Sequence, residues 1–269
     1  MSSPLILIER DGDVATLTFN DPDHRNAMTR AMGEAFAREI GGLARADGLR
    51  AVILTGAGRA FSAGGDLGMI EERAAQGAAE PGIARRAIRA TMRDFYELFL
   101  SVTALPCPSI AAINGHAIGA GLCVALACDL RIASSQAKLG LNFTKLGLHP
   151  GMGATWTLPR IVGHAQAAEL LYTSRIFDAE EACRMGLVSR TLPSEEVVPT
   201  ARRLASEIGL CAPIAVAGVK RALARSDATS LQDQLSFEAS EQAICFETRD
   251  VREGLAAARE RREPKFRGE

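Results

Sequence analysis

Aromatic residues are scarce in this chain: 5% of 269 residues, with a single Trp and two Tyr. An excess of either charge is missing too, since 31 Lys and Arg face 32 Asp and Glu for a net charge of −1. Nucleic-acid-binding proteins usually carry a basic surplus, so that class of partner is disfavoured. No apolar run approaches the roughly 18 residues a membrane span needs. The first residues, MSSPLILIERDGDV, have neither the basic start nor the long apolar core of a signal peptide, which makes the cytoplasm the expected location. Six cysteines (107, 123, 128, 183, 211, 245) include no Cys-x-x-Cys pair, and four histidines (24, 116, 149, 164) show no metal-ligand spacing. The cysteines therefore read as free, mostly buried thiols, and neither a metal nor a permanently bound cofactor is expected.

What the chain does contain is apolar bulk (47% hydrophobic) and 25 glycines, a composition that rules out disorder and predicts a closely packed α/β protein. Leu5–Arg10 and Val14–Phe19 flank Asp11-Gly12-Asp13 and predict a β-hairpin. Thr29 is placed to cap a helix reaching about Ala46, with Met28, Met32, Phe36, Ile40 and Leu43 making its apolar stripe. Three short apolar segments, Arg50–Thr55, Ser109–Ile113 and Asp129–Ala133, have the character of strands buried on both faces of a parallel sheet. A glycine-rich loop and then a helix follow each of the first two, and a helix over 84–102 precedes the second. Residues 74–83, AAQGAAEPGI, read as a mobile connection. Beyond Ser194 the pattern is helical to the end, so the chain divides into an α/β core at 1–194 and a helical region at 195–269.

The two glycine-rich loops are where chemistry can sit. The first N–H groups of a helix lack intrahelical partners and carry the positive end of its dipole. Two such groups aimed at one point would stabilise an oxyanion, and small residues leave the approach open. The candidates lie near Ala63–Gly65 in AFSAGGD and near Gly119–Gly121 in NGHAIGAGL. Competing motifs fit less well. Gly56-Ala-Gly58-Arg-Ala-Phe61 has Phe where a dinucleotide fingerprint needs its third glycine, and no Walker A loop is present. Ala60-Phe-Ser62-Ala-Gly64 is one residue away from a nucleophile elbow, with His116, His149 or His164 as nominal partners for Ser62 and no distinctive Asp.

RAVILTGAGRAFSAGGDL, then SIAAINGHAIGAGLCVALACDLRIAS, LGLNFTKLGLHPGMGATWTLPRIVG and RIFDAEEACRMGLVSRTLP together resemble the enoyl-CoA hydratase/isomerase (crotonase) family over nearly the whole chain. The resemblance implies a spiral of repeated ββα units with a C-terminal helical trimerisation region, as a homotrimer or a dimer of trimers. It also implies an acyl-CoA substrate, with coenzyme A entering only as part of it. Matched position by position, Ala63 and Ala120 would supply the two oxyanion-hole N–H groups. Arg25, Ala27, Ala60 and Ala63 would line the CoA arm, Gly64, Gly65 and Asp66 would complete the binding loop, and Lys265 and Phe266 would touch CoA across a subunit interface.

The side-chain half of that pattern is broken. The two glutamates of hydratases match Cys123 and Phe143, and the acidic position of some isomerases matches Gly151. None of the three can exchange a proton as a carboxylate would. His149, in the same loop as Gly151, is the remaining candidate acid or base. His116, Asp66, Glu71, Glu72, Thr144 and Lys145 read more simply as structural or surface groups, and Cys123 as an inert core thiol. Isomerisation, atypical hydration, decarboxylation and thioester hydrolysis stay open, and so does the alternative of a non-catalytic acyl-CoA-binding or assembly subunit.

Overall fold

The computed structural model describes residues 3–269. Strands β1 (Ile6–Asp11) and β2 (Val14–Phe19) form the expected antiparallel hairpin, closed through Gly12 at φ +59°, a conformation open to glycine at little cost. Helix α1 (Arg30–Leu43) follows, and the Thr29 side chain accepts from the Met32 N–H as its cap. Its buried face carries Met32, Phe36, Ile40 and Leu43 of the stripe read from the sequence, while Met28, also buried, precedes the Thr29 cap and lies outside the helix.

Three further units repeat the plan. β3 (Ala51–Gly56) and β4 (Ala60–Ser62) lead to α2 (Leu67–Ala79) and α3 (Ala84–Leu100). β5 (Ser109–Ile113) and β6 (His116–Ile118) lead to α4 (Ala120–Ala127), and β7 (Leu130–Ser134) and β8 (Lys138–Gly140) to α5 (Ala154–Val162) and α6 (His164–Thr173). In each of these three units the first strand joins a six-stranded sheet of order β1-β2-β3-β5-β7-β10, and the second joins a four-stranded sheet of order β4-β6-β8-β9. The alternation between sheets winds the chain as a spiral. β9 (Phe177–Asp178), α7 (Ala179–Arg184) and β10 (Thr191–Leu192) complete the two sheets, and α8 (Ser194–Gly209), α9 (Pro213–Ser226), α10 (Leu231–Glu247) and α11 (Arg249–Glu260) end the fold.

Three features depart from the sequence reading. β4 and β6 have only three residues each and lie inside what read as glycine-rich loops, because three residues are too few to show a strand period. Residues 74–79, expected to be mobile, belong to α2, whose Asp66 cap accepts from the Met69 N–H at 2.8 Å. Helix α8 falls in the region expected to be the oligomerisation part, yet it packs Val197, Ala201 and Ala205 on Val14, Ile53, Ile110 and Ile132 of the large sheet. That contact makes α8 one face of the core.

The few aromatics are concentrated on the other face. Phe19 stacks on Phe36 with ring centroids 5.4 Å apart and meets Phe61 edge-on at 5.6 Å, while Phe99 meets Phe36 at 5.9 Å and Phe95 at 5.1 Å. Burying a Phe is worth about 1.5–3 kcal/mol. Phe61 is in β4, directly before Ser62 and Ala63, so this cluster anchors the first glycine-rich loop from below.

Candidate active site

An open cavity of about 770 Å³ lies between the two glycine-rich loops and helices α2 and α3. Its walls are mainly apolar: Met69 and Ile70 from α2, Ile88, Met92 and Phe95 from α3, and Phe143, Leu146, Leu148 and Met152 from the segment before α5. Asp23, His24 and Arg25 form part of its lining, and Gly64, Gly65, Gly119 and Ala120 bring backbone to its surface.

The first loop is tied to the chain before α1 by a ladder of bonds. The Met28 N–H donates to the Gly64 carbonyl at 2.8 Å, and the Asp66 N–H donates to the Met28 carbonyl at 3.4 Å. The Ser62 hydroxyl donates to the Asn26 carbonyl at 2.7 Å and accepts from the Gly64 N–H at 3.1 Å. The Asn26 amide donates to the Ala57 and Ala60 carbonyls. Arg25 and Asn26 are both held at positive φ, 54° and 55°, a conformation costing of order 1 kcal/mol or more per non-glycine residue. These bonds offset that strain.

The ladder corrects one expectation. The Ala63 N–H donates to the Arg25 carbonyl at 2.9 Å, so it is engaged within the fold and cannot also hold a substrate oxygen. Two residues on, Gly65 sits at the centre of the parallel bridge to Met28, and its own N–H meets no acceptor among the described residues. Gly65 lines the cavity and is the free donor of this loop. Sequence similarity carried the role to a neighbouring small residue; only the hydrogen-bond pattern separates the two.

In the second loop the candidate donor is unpaired. Ala120 is the first residue of α4, its N–H has no acceptor among the described residues, and it lines the cavity. The Gly119 N–H is held by the Gly140 carbonyl at 2.8 Å, with Gly119 itself at φ +52°. The loops touch: a Cβ at Gly64 (φ +95°) would lie 2.6 Å from the Ile118 carbonyl oxygen and 3.5 Å from the Ala120 nitrogen. Only glycine satisfies both the conformation and the contact there. Gly65 and Ala120 thus present two unpaired N–H groups from adjoining strands of backbone, and the α4 dipole adds positive character at Ala120.

Other expected residues distribute as follows. Arg25, Ala27, Ala63, Gly64 and Asp66 all line the cavity. Ala60 does not: it is buried in β4 with its carbonyl taken by Asn26. Lys265 and Phe266 do not line the cavity of their own chain, where the Lys265 N–H donates to Glu253 and the Phe266 carbonyl accepts from Arg50. Ser62 is fully buried and both its bonds are structural, which removes the serine-nucleophile reading. His116 accepts from the Lys138 N–H at 3.0 Å, Thr144 bonds Ser174, and Glu71 and Glu72 are exposed away from the cavity lining.

The positions that lost their carboxylates are distinct. Phe143 contributes apolar wall. Cys123 is buried, its thiol pushed up to about 12 by desolvation, and Sγ points to the Gly151 carbonyl at 3.7 Å. It is a protonated core thiol at neutral pH. His149 lines the cavity and is exposed; its Nδ1 lies 2.7 Å from the Pro150 carbonyl, which can only accept, so Nδ1 carries the proton and Nε2 is left as a base. His24, in the same lining, is drawn to a raised pKa by the Asp21 carboxylate 2.8 Å away. Asn142, Arg73 and Tyr96 also line the cavity and were not singled out from sequence. Tyr96 comes from the outer turns of α3, where an amphipathic stripe accounts for a Tyr without any chemistry, so no local signal marks it.

A model of the family described as enoyl-CoA hydratase/isomerase matches residues 9–269. The chain is 34% identical over 258 residues to the short-chain-enoyl-CoA hydratase of Clostridium acetobutylicum, covering 96% of this chain and 95% of that one. It is also 34% identical over 264 residues to the 1,2-epoxyphenylacetyl-CoA isomerase of Escherichia coli, covering 98% of both. Among solved structures, DspI of Pseudomonas aeruginosa superposes with a TM-score of 0.89 at 34% identity, over 99% of this chain and 98% of that one. An enoyl-CoA hydratase from Bacillus anthracis gives 0.88 at 35% identity, over 98% of this chain and all of that one. With a spiral of ββα units, two free N–H groups at the junction of its glycine-rich loops and this likeness along its whole length, the chain belongs to the enoyl-CoA hydratase/isomerase family and has the crotonase fold.

Proposed function

We propose that the protein binds an acyl-CoA thioester with its carbonyl oxygen between the N–H groups of Gly65 and Ala120, and that it moves a double bond along the acyl chain through a thioester enolate. The observation that carries this reading is the pairing of those free donors with an apolar cavity in which one hydratase position is the wall residue Phe143 and the other, Cys123, is buried behind the wall. Hydration needs a water molecule held and activated at the β-carbon, and neither a thiol kept protonated by burial nor a phenyl ring can do that. A double-bond shift needs no water. It needs a site for the negative charge, which two backbone N–H groups provide, and a base for the α-proton, for which Nε2 of His149 is suited.

The CoA arm runs past Arg25, Ala27 and Asp66 in this reading, and no tightly held cofactor takes part. Lys265 and Phe266 reach a CoA only from a second copy of the chain. A trimer is favoured by the exposed Val219, Leu223 and Phe246 beside a groove between α9 and α10, an apolar surface that one chain leaves uncovered. The expected location is the cytoplasm; among the described residues no helix is long and apolar enough to cross a membrane.

The test follows 3-butenoyl-CoA and crotonyl-CoA by mass and ultraviolet absorbance. Crotonyl-CoA should form from 3-butenoyl-CoA with no 3-hydroxybutyryl-CoA, and His149→Ala should lower the rate about 100-fold or more while binding stays within threefold. Crotonyl-CoA hydration faster than isomerisation overturns the reading, as does failure of either ester to bind. Tight binding with no turnover of any ester favours a non-catalytic acyl-CoA-binding subunit.

A further inference from the structure

We infer that the Tyr96 hydroxyl is the proton donor that completes the double-bond shift, replacing the carboxylates this chain lacks. The inference rests on the enolate reading above, and three observations carry it.

The first is position. A Cβ built on Gly151 would fall 2.5 Å from the Tyr96 hydroxyl oxygen and 2.7 Å from its ring carbon Cζ. The phenol therefore fills the space that a side chain at Gly151 would occupy, and no acidic residue fits there while Tyr96 is in place. Cys123, the other emptied position on this side, bonds the Gly151 carbonyl through Sγ. Two vacated acid/base positions are thus gathered on one tyrosine.

The second is access. Tyr96 lines the cavity and is only partly buried, whereas Cys123 is sealed in the core and absent from the lining. The Tyr96 hydroxyl has no hydrogen-bond partner among the described residues, although a tyrosine in an apolar wall ordinarily finds one. Its O–H is free to meet a ligand.

The third is chemistry. Desolvation raises the Tyr96 pKa above its ordinary value, and the neighbouring Cys123 adds to the rise. The group is a phenol at neutral pH and serves as an acid, the complement of an imidazole whose Nε2 serves as the base. In the forward reaction His149 Nε2 takes the proton from C2 of a 3-enoyl thioester, and the C–H electron pair enters a dienolate whose charge rests on the oxygen held by Gly65 and Ala120. The Tyr96 O–H bond then breaks, its proton forms the new C–H bond at C4, and the electron pair stays on the phenolate oxygen. The imidazolium proton passes to the phenolate through solvent in the open cavity. Substrate and product are isomers, and both side chains return to their starting states.

A single base shuttling one proton from C2 to C4 predicts something else, so isotope tracing separates the two. The experiment converts 3-butenoyl-CoA in D2O with wild-type protein and with Tyr96→Phe, alongside binding of unreactive butyryl-CoA to both. The wild-type product should be crotonyl-CoA carrying one solvent deuterium at C4. Tyr96→Phe should lower kcat about 100-fold, with butyryl-CoA affinity within threefold of wild type. Retention of the C2 proton at C4, or a Tyr96→Phe rate within threefold of wild type, overturns the assignment. So does wild-type protein that binds both esters and forms no product. If butyryl-CoA does not bind at all, the thioester reading of the site fails first, whatever Tyr96 does.

Discussion

The two halves of the cavity are built by different rules. On the loop side, every group that shapes the site is backbone or is bonded to backbone. Gly64 is fixed by its φ and by the Ile118 carbonyl, the Ala63 and Gly119 N–H groups are occupied within the fold, and Gly65 and Ala120 are what remains free. On the helix and wall side, the shaping groups are side chains: Tyr96, Phe143 and His149, with few hydrogen bonds among them. Backbone donors can persist through changes of side chain, because they depend on chain path alone. Side-chain acids can be exchanged without disturbing that path. A chain can therefore keep the charge-stabilising half of its family's site while the proton-moving half is rebuilt.

The largest expected effect comes from removing one backbone donor. Ala120→Pro deletes the N–H at the first position of α4, where proline is otherwise well tolerated and its fixed φ suits the helix. Loss of one oxyanion donor lowers turnover about 10²–10³-fold, or about 2.7–4 kcal/mol of transition-state stabilisation. Circular dichroism should show the fold retained. A turnover loss of less than tenfold in a folded variant would remove Ala120 from the site and erase the distinction between the halves.

Ser62→Ala tests the scaffold under the loop. It strips the buried partner from the Gly64 N–H and the Asn26 carbonyl, at about 1–3 kcal/mol for groups left unsatisfied. The melting temperature should fall by several degrees while turnover at a temperature well below the transition drops less than tenfold. Loss of all turnover with stability unchanged would restore Ser62 as a nucleophile and contradict its structural role.

How much of this was legible beforehand follows the same division. The hairpin, α1, the buried strands and the C-terminal helices each have a period or a cap that sequence displays. The two loops that meet at the cavity are visible as glycine clusters after apolar strands. Which N–H is left unpaired is not, because Ala63 and Gly65 differ only in where their N–H groups point. The three-residue strands β4 and β6 were hidden for want of length. Tyr96 was hidden because it lies far in sequence from Cys123 and Gly151 and joins them only when α3 folds over the cavity. Lys265 and Phe266 were legible as a tail of interest, but their absence from the lining of their own cavity becomes plain only in the fold.

The smallest effect concerns that tail, which is also a side-chain construction. Glu253 on α11 accepts from the Arg262 guanidinium and from the Lys265 N–H at 2.8 Å, and Asp250 accepts from the Arg267 and Gly268 N–H groups at 2.8 Å each. The Arg262 side chain and the Lys265 N–H lower the Glu253 pKa from an ordinary 4.5 to about 2. A depressed carboxylate pKa contributes stability that is present above the unfolded value and is lost as pH falls through the folded one. The Glu253 contribution is therefore whole above about pH 5 and fades between roughly pH 4.5 and 2, as its carboxylate protonates and releases Lys265. Amide exchange at 265–268 should accelerate in that window, ahead of the core strands. Glu253→Gln should bring the faster exchange at Lys265 to neutral pH, with turnover per subunit unchanged if the tail serves only its own chain. If the tail completes a neighbour's CoA site, the same variant should weaken CoA-ester binding severalfold and leave kcat intact. An unchanged affinity together with a loosened tail would confine the whole site to one subunit.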